Sequence, residues 1–215
     1  MQTIIIGISG PSGSGKSLFG ENICKRFDTK EATILGEDSY YKNFPELSFE
    51  ERCIQNYDHP DAFEHDLLVK HVSMLKSGKS VDVPLYDYVS HLRKKETIHI
   101  PPCPVLIIEG ILLLSDERLR ELIDIKVYID TPLDICLSRR IYRDIIERGR
   151  DVASVITQYN NHTRPMYFEF IKPSRKYSDI VVPKGGKNKV AIDIIQAKID
   201  KLIKNIESCN TFTVS

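Results

Sequence analysis

The stretch Gly10-Pro11-Ser12-Gly13-Ser14-Gly15-Lys16-Ser17 constrains this chain more than any other. It fits G-x-x-x-x-G-K-[ST], a loop that wraps phosphate oxygens in backbone amides. Gly10, Gly13 and Gly15 let the backbone turn tightly and approach a polyphosphate with no Cβ in the way. The loop amides form an anion nest, and a helix opening near Lys16 adds its positive dipole end. Lys16 supplies a point charge for the β- and γ-phosphates, and Ser17 a hydroxyl for Mg²⁺. Thr3 to Ser9, just before the loop, is an almost unbroken β-branched run suited to a buried parallel strand. Phe19, Ile23 and Phe27 follow at helical spacing, with Leu18 alongside. Strand, loop, helix is the context that separates this motif from a Gly/Ser-rich surface turn.

A length of 215 residues suits one α/β domain with one substantial core. Lys+Arg and Asp+Glu both number 30, which argues against nucleic acid or an anionic membrane as the main partner. No apolar run approaches the length of a membrane span. A strand entered at Thr3 is expected to leave no room for a signal peptide. The five cysteines are scattered without a C-x-x-C pair, so free thiols in a reducing cytoplasm are expected rather than zinc or disulfides.

Ala32 to Gly36 reads as a second strand, ending at Glu37-Asp38-Ser39-Tyr40-Tyr41. Ligands of open α/β sheets bind beyond the carboxyl ends of the strands. Asp38 is therefore a candidate general base, although a turn cap is the commoner duty of Asp. Ser48-Phe49-Glu50-Glu51 is a capping box. Leu67 to Leu75 mark a helix that Gly78 stops. Val81–Tyr88 and Glu96–Ile100 read as two strands around a polar, basic turn, a hairpin inserted into the α/β alternation. Tyr86, Tyr88 and His91 there either sandwich a base or form a satellite core.

Val105 to Gly110 is a third core strand carrying an acid, Glu109, suited to Mg²⁺. Ile125 to Asp130 is a fourth, and Thr131-Pro132 is expected to cap the next helix with Pro at its first position. Arg139, Arg140, Arg143, Arg148 and Arg150 fall within twelve residues around Gly149. They read as a lid closing over a transferring phosphate, against the alternative of a solvated face paired with Asp144 and Glu147. A helix from about Val152 to Phe170 carries Gln158; Ile180 to Val182 is the fifth strand. Lys184-Gly185-Gly186 is a tight turn where a nucleotide base could rest, and Val190 to Ile206 closes the fold. Residues 208–215 are expected to form a C-terminal tail.

These stretches together resemble the uridine kinase (uridine–cytidine kinase) family of bacterial type, from Ile4 to Ile206. The resemblance rests on Gly10–Ser17, Glu37–Tyr41, Asn56-Tyr57-Asp58-His59-Pro60, Tyr86–His91, Glu109–Leu113 and Glu147–Arg150. It implies a P-loop kinase fold: a five-stranded parallel sheet flanked by helices, a hairpin insertion over 79–100 and an Arg-rich lid over 143–155, in one domain spanning 1–207. It also implies an ATP-dependent phosphotransferase moving the γ-phosphate of ATP or GTP to the 5′-hydroxyl of uridine or cytidine, giving UMP or CMP. By the same resemblance Asp38 accepts the hydroxyl proton and holds Mg²⁺ with Ser17 and Glu109. Asp58, Arg140 and Gln158 match ribose contacts; Tyr86, Tyr88, His91 and Arg150 match the base pocket; Arg143 and Arg148 match the phosphate clamp. Tyr57 stands where relatives often carry Phe and keeps a stacking surface. A cytoplasmic homotetramer inhibited by CTP is implied as well.

Two rivals remain at this stage. One is a kinase of the same superfold acting on another small alcohol, of phosphoribulokinase or pantothenate kinase type; the hairpin aromatics argue against it. The other is a GTPase-type switch. The chain lacks the D-x-x-G such a switch needs, and Asn188-Lys189-Val190-Ala191 has Ala where guanine reading needs Asp.

Overall fold

Ile5 and Ile6 are neighbours in sequence and both fully buried, yet they belong to different cores. Ile5 packs with Leu35, Leu106, Ile108 and Tyr128 on one side; Ile6 and Ile8 pack with Phe19, Ile107, Val127 and Ile129 on the other. A strand buried on both faces belongs at the centre of a covered parallel sheet. The computed structural model, which describes residues 3–211 and side chains through residue 204, has it there.

The strands of the described residues are β1 (Ile4–Ser9), β2 (Ala32–Gly36), β3 (Val81–Asp87), β4 (Leu92–Ile100), β5 (Val105–Gly110), β6 (Ile125–Asp130) and β7 (Ile180–Pro183). Five of them form a parallel sheet in the order β2-β5-β1-β6-β7, and β3 and β4 pair as a separate antiparallel hairpin. In register, Ser9 lies beside Gly110 and Gly36 beside Glu109. The phosphate loop, the turn after β2 and Glu109 therefore leave the sheet at one carboxyl edge.

Helix α1 (Lys16–Cys24) opens on the loop, with Gly15 left-handed at its N-cap. Phe27 lies beyond that helix and still packs on the core. The capping box forms as expected at α2 (Phe49–Cys53), and Gly78, at φ 79°, follows α3 (His65–Lys76). Asp116 caps α4 (Glu117–Leu122). Before α5 (Leu133–Ile146), Pro132 sits at the N-cap rather than the first helical position. Thr131 does not cap either; its hydroxyl donates to the Ser14 carbonyl at 3.1 Å.

The helix expected over 152–170 is instead α6 (Val152–Gln158), running on through a π turn (Tyr159–Thr163), a short α turn, a second π turn (Tyr167–Ile171) and further helical turns to Tyr177. Pro165 and Pro173 follow the two π turns. A proline has no N–H and crowds the carbonyl four residues back, and the wider turn accommodates both. The hairpin turn also differs from expectation. It spans 88–91, because Asp87 accepts from the Val89 amide and the Ser90 hydroxyl, so the basic residues Arg93 to Lys95 lie on β4. The closing helix is described from Lys189 to Thr211, and the rest of the expected tail lies outside the described residues.

A buried ionic bracket ties α3 and α4 to the turn after β2. His65 Nε2 meets Glu37 Oε1 at 3.0 Å and its Nδ1 meets Asp116 Oδ2 at 3.3 Å. Glu37 Oε2 accepts the Leu112 amide at 3.0 Å. Burial pulls the His65 imidazole down, but the Glu37 hydrogen bond and the two carboxylate charges outweigh it and hold its pKa raised. A raised folded pKa adds stability that is fully present below the unfolded value of about 6.5 and is lost as pH rises through the folded one. The Tm gap between wild type and His65→Gln should thus be widest near pH ~6 and narrow by pH ~9. A gap independent of pH in thermal melts means His65 is neutral in its bracket.

Candidate active site

The loop glycines occupy conformations that side chains resist, with φ of 146° at Gly10, 79° at Gly13 and 95° at Gly15. A Cβ on Gly13 would lie 2.4 Å from the Cys136 carbonyl oxygen. From behind, Ser14 O accepts from Thr131 Oγ1 at 3.1 Å and from Arg139 Nη1 at 3.2 Å. Gly185 and Gly186 are buried against the same backbone; a Cβ on either would come within 2.5 Å of the Ser14 or 2.4 Å of the Gly15 carbonyl. The turn read as a base rest thus presses on the back of the phosphate loop. Lys16 is buried, its Nζ donating to Pro11 O at 3.1 Å.

Three oxygen-bearing side chains gather beside Lys16. Ser17 Oγ donates to Glu109 Oε1 at 3.0 Å. Burial raises the Glu109 pKa, Lys16 opposes it and Asp38 adds to it. Asp38 is likewise raised by burial and then by Glu37, against the charges of Lys16, Arg148 and Arg143. Hard oxygen donors of this kind suit Mg²⁺, which is held through one or two carboxylates together with substrate phosphates. Two carboxylates pushed toward protonation by burial and mutual repulsion are what a divalent cation relieves.

Asp38 also lines the cleft that runs from Ser12 to the hairpin. At the far end Tyr57 stacks on His91, ring centroids 4.9 Å apart and 13° from parallel. Tyr86 meets Tyr88 edge-on at 5.6 Å, and the Arg148 guanidinium lies over the Tyr88 ring at 4.6 Å. Both hairpin tyrosines face this cleft, although Tyr86 is buried and Tyr88 partly exposed. His91 sits at the hairpin turn with φ 56°. Burial and the charges of Arg150, Arg148 and Arg52 hold its pKa low, so its ring is neutral at pH 7.

Between these ends lies a polar wall. Buried Asp58 accepts from Thr163 Oγ1 at 2.8 Å, and Arg140 Nη1 is 3.6 Å from its other oxygen. Gln158 Oε1 accepts from Arg140 Nη2 at 2.9 Å and from Arg150 Nη1 at 2.5 Å. Every residue singled out for nucleoside contact lines the cleft, as do Arg143 and Arg148. Tyr41 and Ile111 line it too and were not singled out. Tyr41 falls three residues after Asp38, a spacing that could have flagged it. Thr163 sits at the end of a π turn, and no spacing pattern marks it as a contact of Asp58.

A glycine-rich loop with its lysine, an adjacent carboxylate and a deep polar-aromatic cleft define a P-loop phosphotransferase acting on a small acceptor. The sequence profile of the Phosphoribulokinase / Uridine kinase family matches residues 5–191. The chain is 51% identical over 207 residues to a uridine kinase of Serratia proteamaculans, covering 94% of this chain and 97% of that one. It is 53% identical over 202 residues to a uridine kinase of Proteus mirabilis, covering 92% and 95%. Among solved structures, phosphoribulokinase from Rhodobacter spheroides superposes with a TM-score of 0.63 at 17% identity, covering 85% of this chain and 70% of that one. This likeness shows the shared fold. The chain belongs to the Phosphoribulokinase / Uridine kinase family.

Gly13→Ala should abolish thermal stabilisation by ATP and lower stability by at least the ~1–3 kcal/mol of a strained backbone conformation. Gly149, at φ 64° with open space around it, is the control: Gly149→Ala should cost only about 1–2 kcal/mol. Equal ATP-induced shifts in differential scanning fluorimetry of wild type and Gly13→Ala mean that the loop tolerates a Cβ.

Proposed function

We propose that the chain transfers the γ-phosphate of ATP or GTP to the 5′-hydroxyl of uridine or cytidine, giving UMP or CMP. One observation carries this reading: Asp38 lies where the phosphate loop and the aromatic cleft meet. The names of the relatives at about half identity agree with it.

Phosphoryl transfer asks the protein mainly for positioning and charge. Lys16, Arg143 and Arg148 neutralise the transferring group, and the loop from Gly10 to Ser17 seats the polyphosphate. Asp38 takes the proton of the acceptor hydroxyl, worth about 10²–10⁴-fold as a general base. Ser17, Asp38 and Glu109 would hold Mg²⁺, which supplies charge stabilisation on the phosphate oxygens when bound. Asp58, with Arg140 and Gln158, takes the ribose hydroxyls; a carboxylate has lone pairs for more partners than Thr163 alone. Tyr57, Tyr88 and Arg150 border the base, and Tyr86 and His91 read its edge. A neutral imidazole has one donor and one acceptor nitrogen, which suits both the carbonyl of uracil and the amino group of cytosine. Homotetrameric assembly and inhibition by CTP belong to the same proposal and rest on the family resemblance.

Asp38→Asn should lower kcat by about 10²-fold or more while changing the KM for uridine little. Near wild-type kcat removes Asp38 from proton transfer. 2′-Deoxyuridine should be a poorer substrate than uridine by up to about 10⁴-fold, because a ribose-facing lone pair of Asp58 would lose its partner. His91→Ala should raise KM for both nucleosides; unchanged values refute its base contact. A coupled ADP-release assay over nucleosides, ribulose 5-phosphate and pantothenate tests the whole reading. Turnover of either of the last two, with none of uridine or cytidine, rejects it.

A further inference from the structure

Asp144 is fully buried on α5 at the centre of the arginine cluster. Its Oδ1 accepts from Arg143 Nε at 2.9 Å and lies 2.9 Å from Arg143 Nη2 and 3.5 Å from Arg148 Nη1. Its Oδ2 lies 3.6 Å from Arg140 Nε and 3.8 Å from Arg150 Nη1. The Arg150 amide donates to the Asp144 carbonyl at 3.0 Å, so the turn at Gly149 folds the chain back onto this residue. Glu147, the other acid of the segment, is exposed.

The two oxygens sort the arginines by task. Arg143 and Arg148, on Oδ1, are the pair whose charges act on Asp38. Arg140 and Arg150, on Oδ2, are the pair that grips Gln158, and Arg140 also faces Asp58. We propose that Asp144 is a positioning residue: its carboxylate holds the acceptor-side and phosphate-side arginines in one frame and so couples acceptor binding to phosphoryl transfer. Four guanidiniums converging on one cleft repel, and a buried carboxylate between them converts that repulsion into fixed geometry. The grip is uneven. Arg143 is hydrogen-bonded, whereas Oδ2 and Arg140 Nε have no hydrogen-bond partner and meet by charge at 3.6 Å. The acceptor-side pair therefore depends on the negative charge itself, not on a hydrogen-bonding shape that an amide could copy.

This rests on the phosphotransferase reading above, and one experiment separates the two. Steady-state kinetics with ATP and uridine would compare wild type, Asp144→Asn, Arg148→Gln, the double variant and, as control, Glu147→Gln. Asp144→Asn should lower kcat by about 10-fold or more and raise the KM for uridine, with Glu147→Gln within about 2-fold of wild type. The double variant should lose far less than the product of the single losses, because residues acting as one unit are non-additive. A purely structural Asp144 would shift Tm and leave the kcat of folded enzyme, and that coupling, unmoved. If Asp144→Asn does not fold by circular dichroism, Asp144→Glu replaces it with the charge one methylene out and the same coupled loss expected. Wild-type kcat in the folded variant, additive losses, or failure of both variants to fold overturns the proposal. Absence of phosphoryl transfer in the unaltered chain rejects the phosphotransferase reading instead.

Discussion

The phosphate loop keeps its form because its carbonyls are engaged from behind. A planar peptide points its C=O and the following N–H in opposite directions. Thr131 and Arg139 hold the Ser14 carbonyl at the back, and the next amide, that of Gly15, is thereby turned to the front. Gly185 and Gly186 press on the same surface with no room for a Cβ. The anion nest is thus built by segments far apart in the chain: Thr131 ahead of α5, Arg139 within it, and the turn after β7. Every later feature of the site, from Lys16 to the carboxylates beside it, takes its place relative to that fixed backbone.

Around the nest, charge is layered. Glu37 is occupied by His65 and the Leu112 amide, while Asp38, its neighbour in sequence, faces the cleft. Adjacent carboxylates thereby serve different ends, one bracing the turn and one available for chemistry. The arginines form the opposing layer, with Asp144 beneath them. Burial makes both layers costly to leave unpaired, which favours geometry fixed before any substrate arrives.

Much of this was legible from sequence where local chemistry is strict. The loop motif, the doubly buried strand before it and the Ser48–Glu51 capping box admit few conformations, and each formed as read. The hairpin was legible as an insertion but not in its turn. β4 is mostly exposed while its partner β3 is mostly buried, and the Asp87 hydrogen bonds that fix the turn leave no periodic trace. The helix after Val152 was legible as helix but not as interrupted by π turns, for which Pro165 and Pro173 were the local signs. Asp144 entered only as a pairing partner in the alternative of a solvated face, because spacing reveals neighbours on a helix, not which of them the rest of the fold covers. The tight turn at Gly185, legible as a place for a base to rest, packs instead on the phosphate loop, because the sheet order brings it under the loop.

The outer rim of the parallel sheet shows how this fold guards itself against unwanted association. β7 is an edge strand of four residues, and its last residue, Pro183, has no N–H to offer. The Pro183 carbonyl is already taken by the Asn188 side chain at 3.0 Å. A stray chain seeking to add itself to that rim finds a short template whose final rung is spent, so fibril-like growth from this side is checked by the proline ring and the occupied carbonyl.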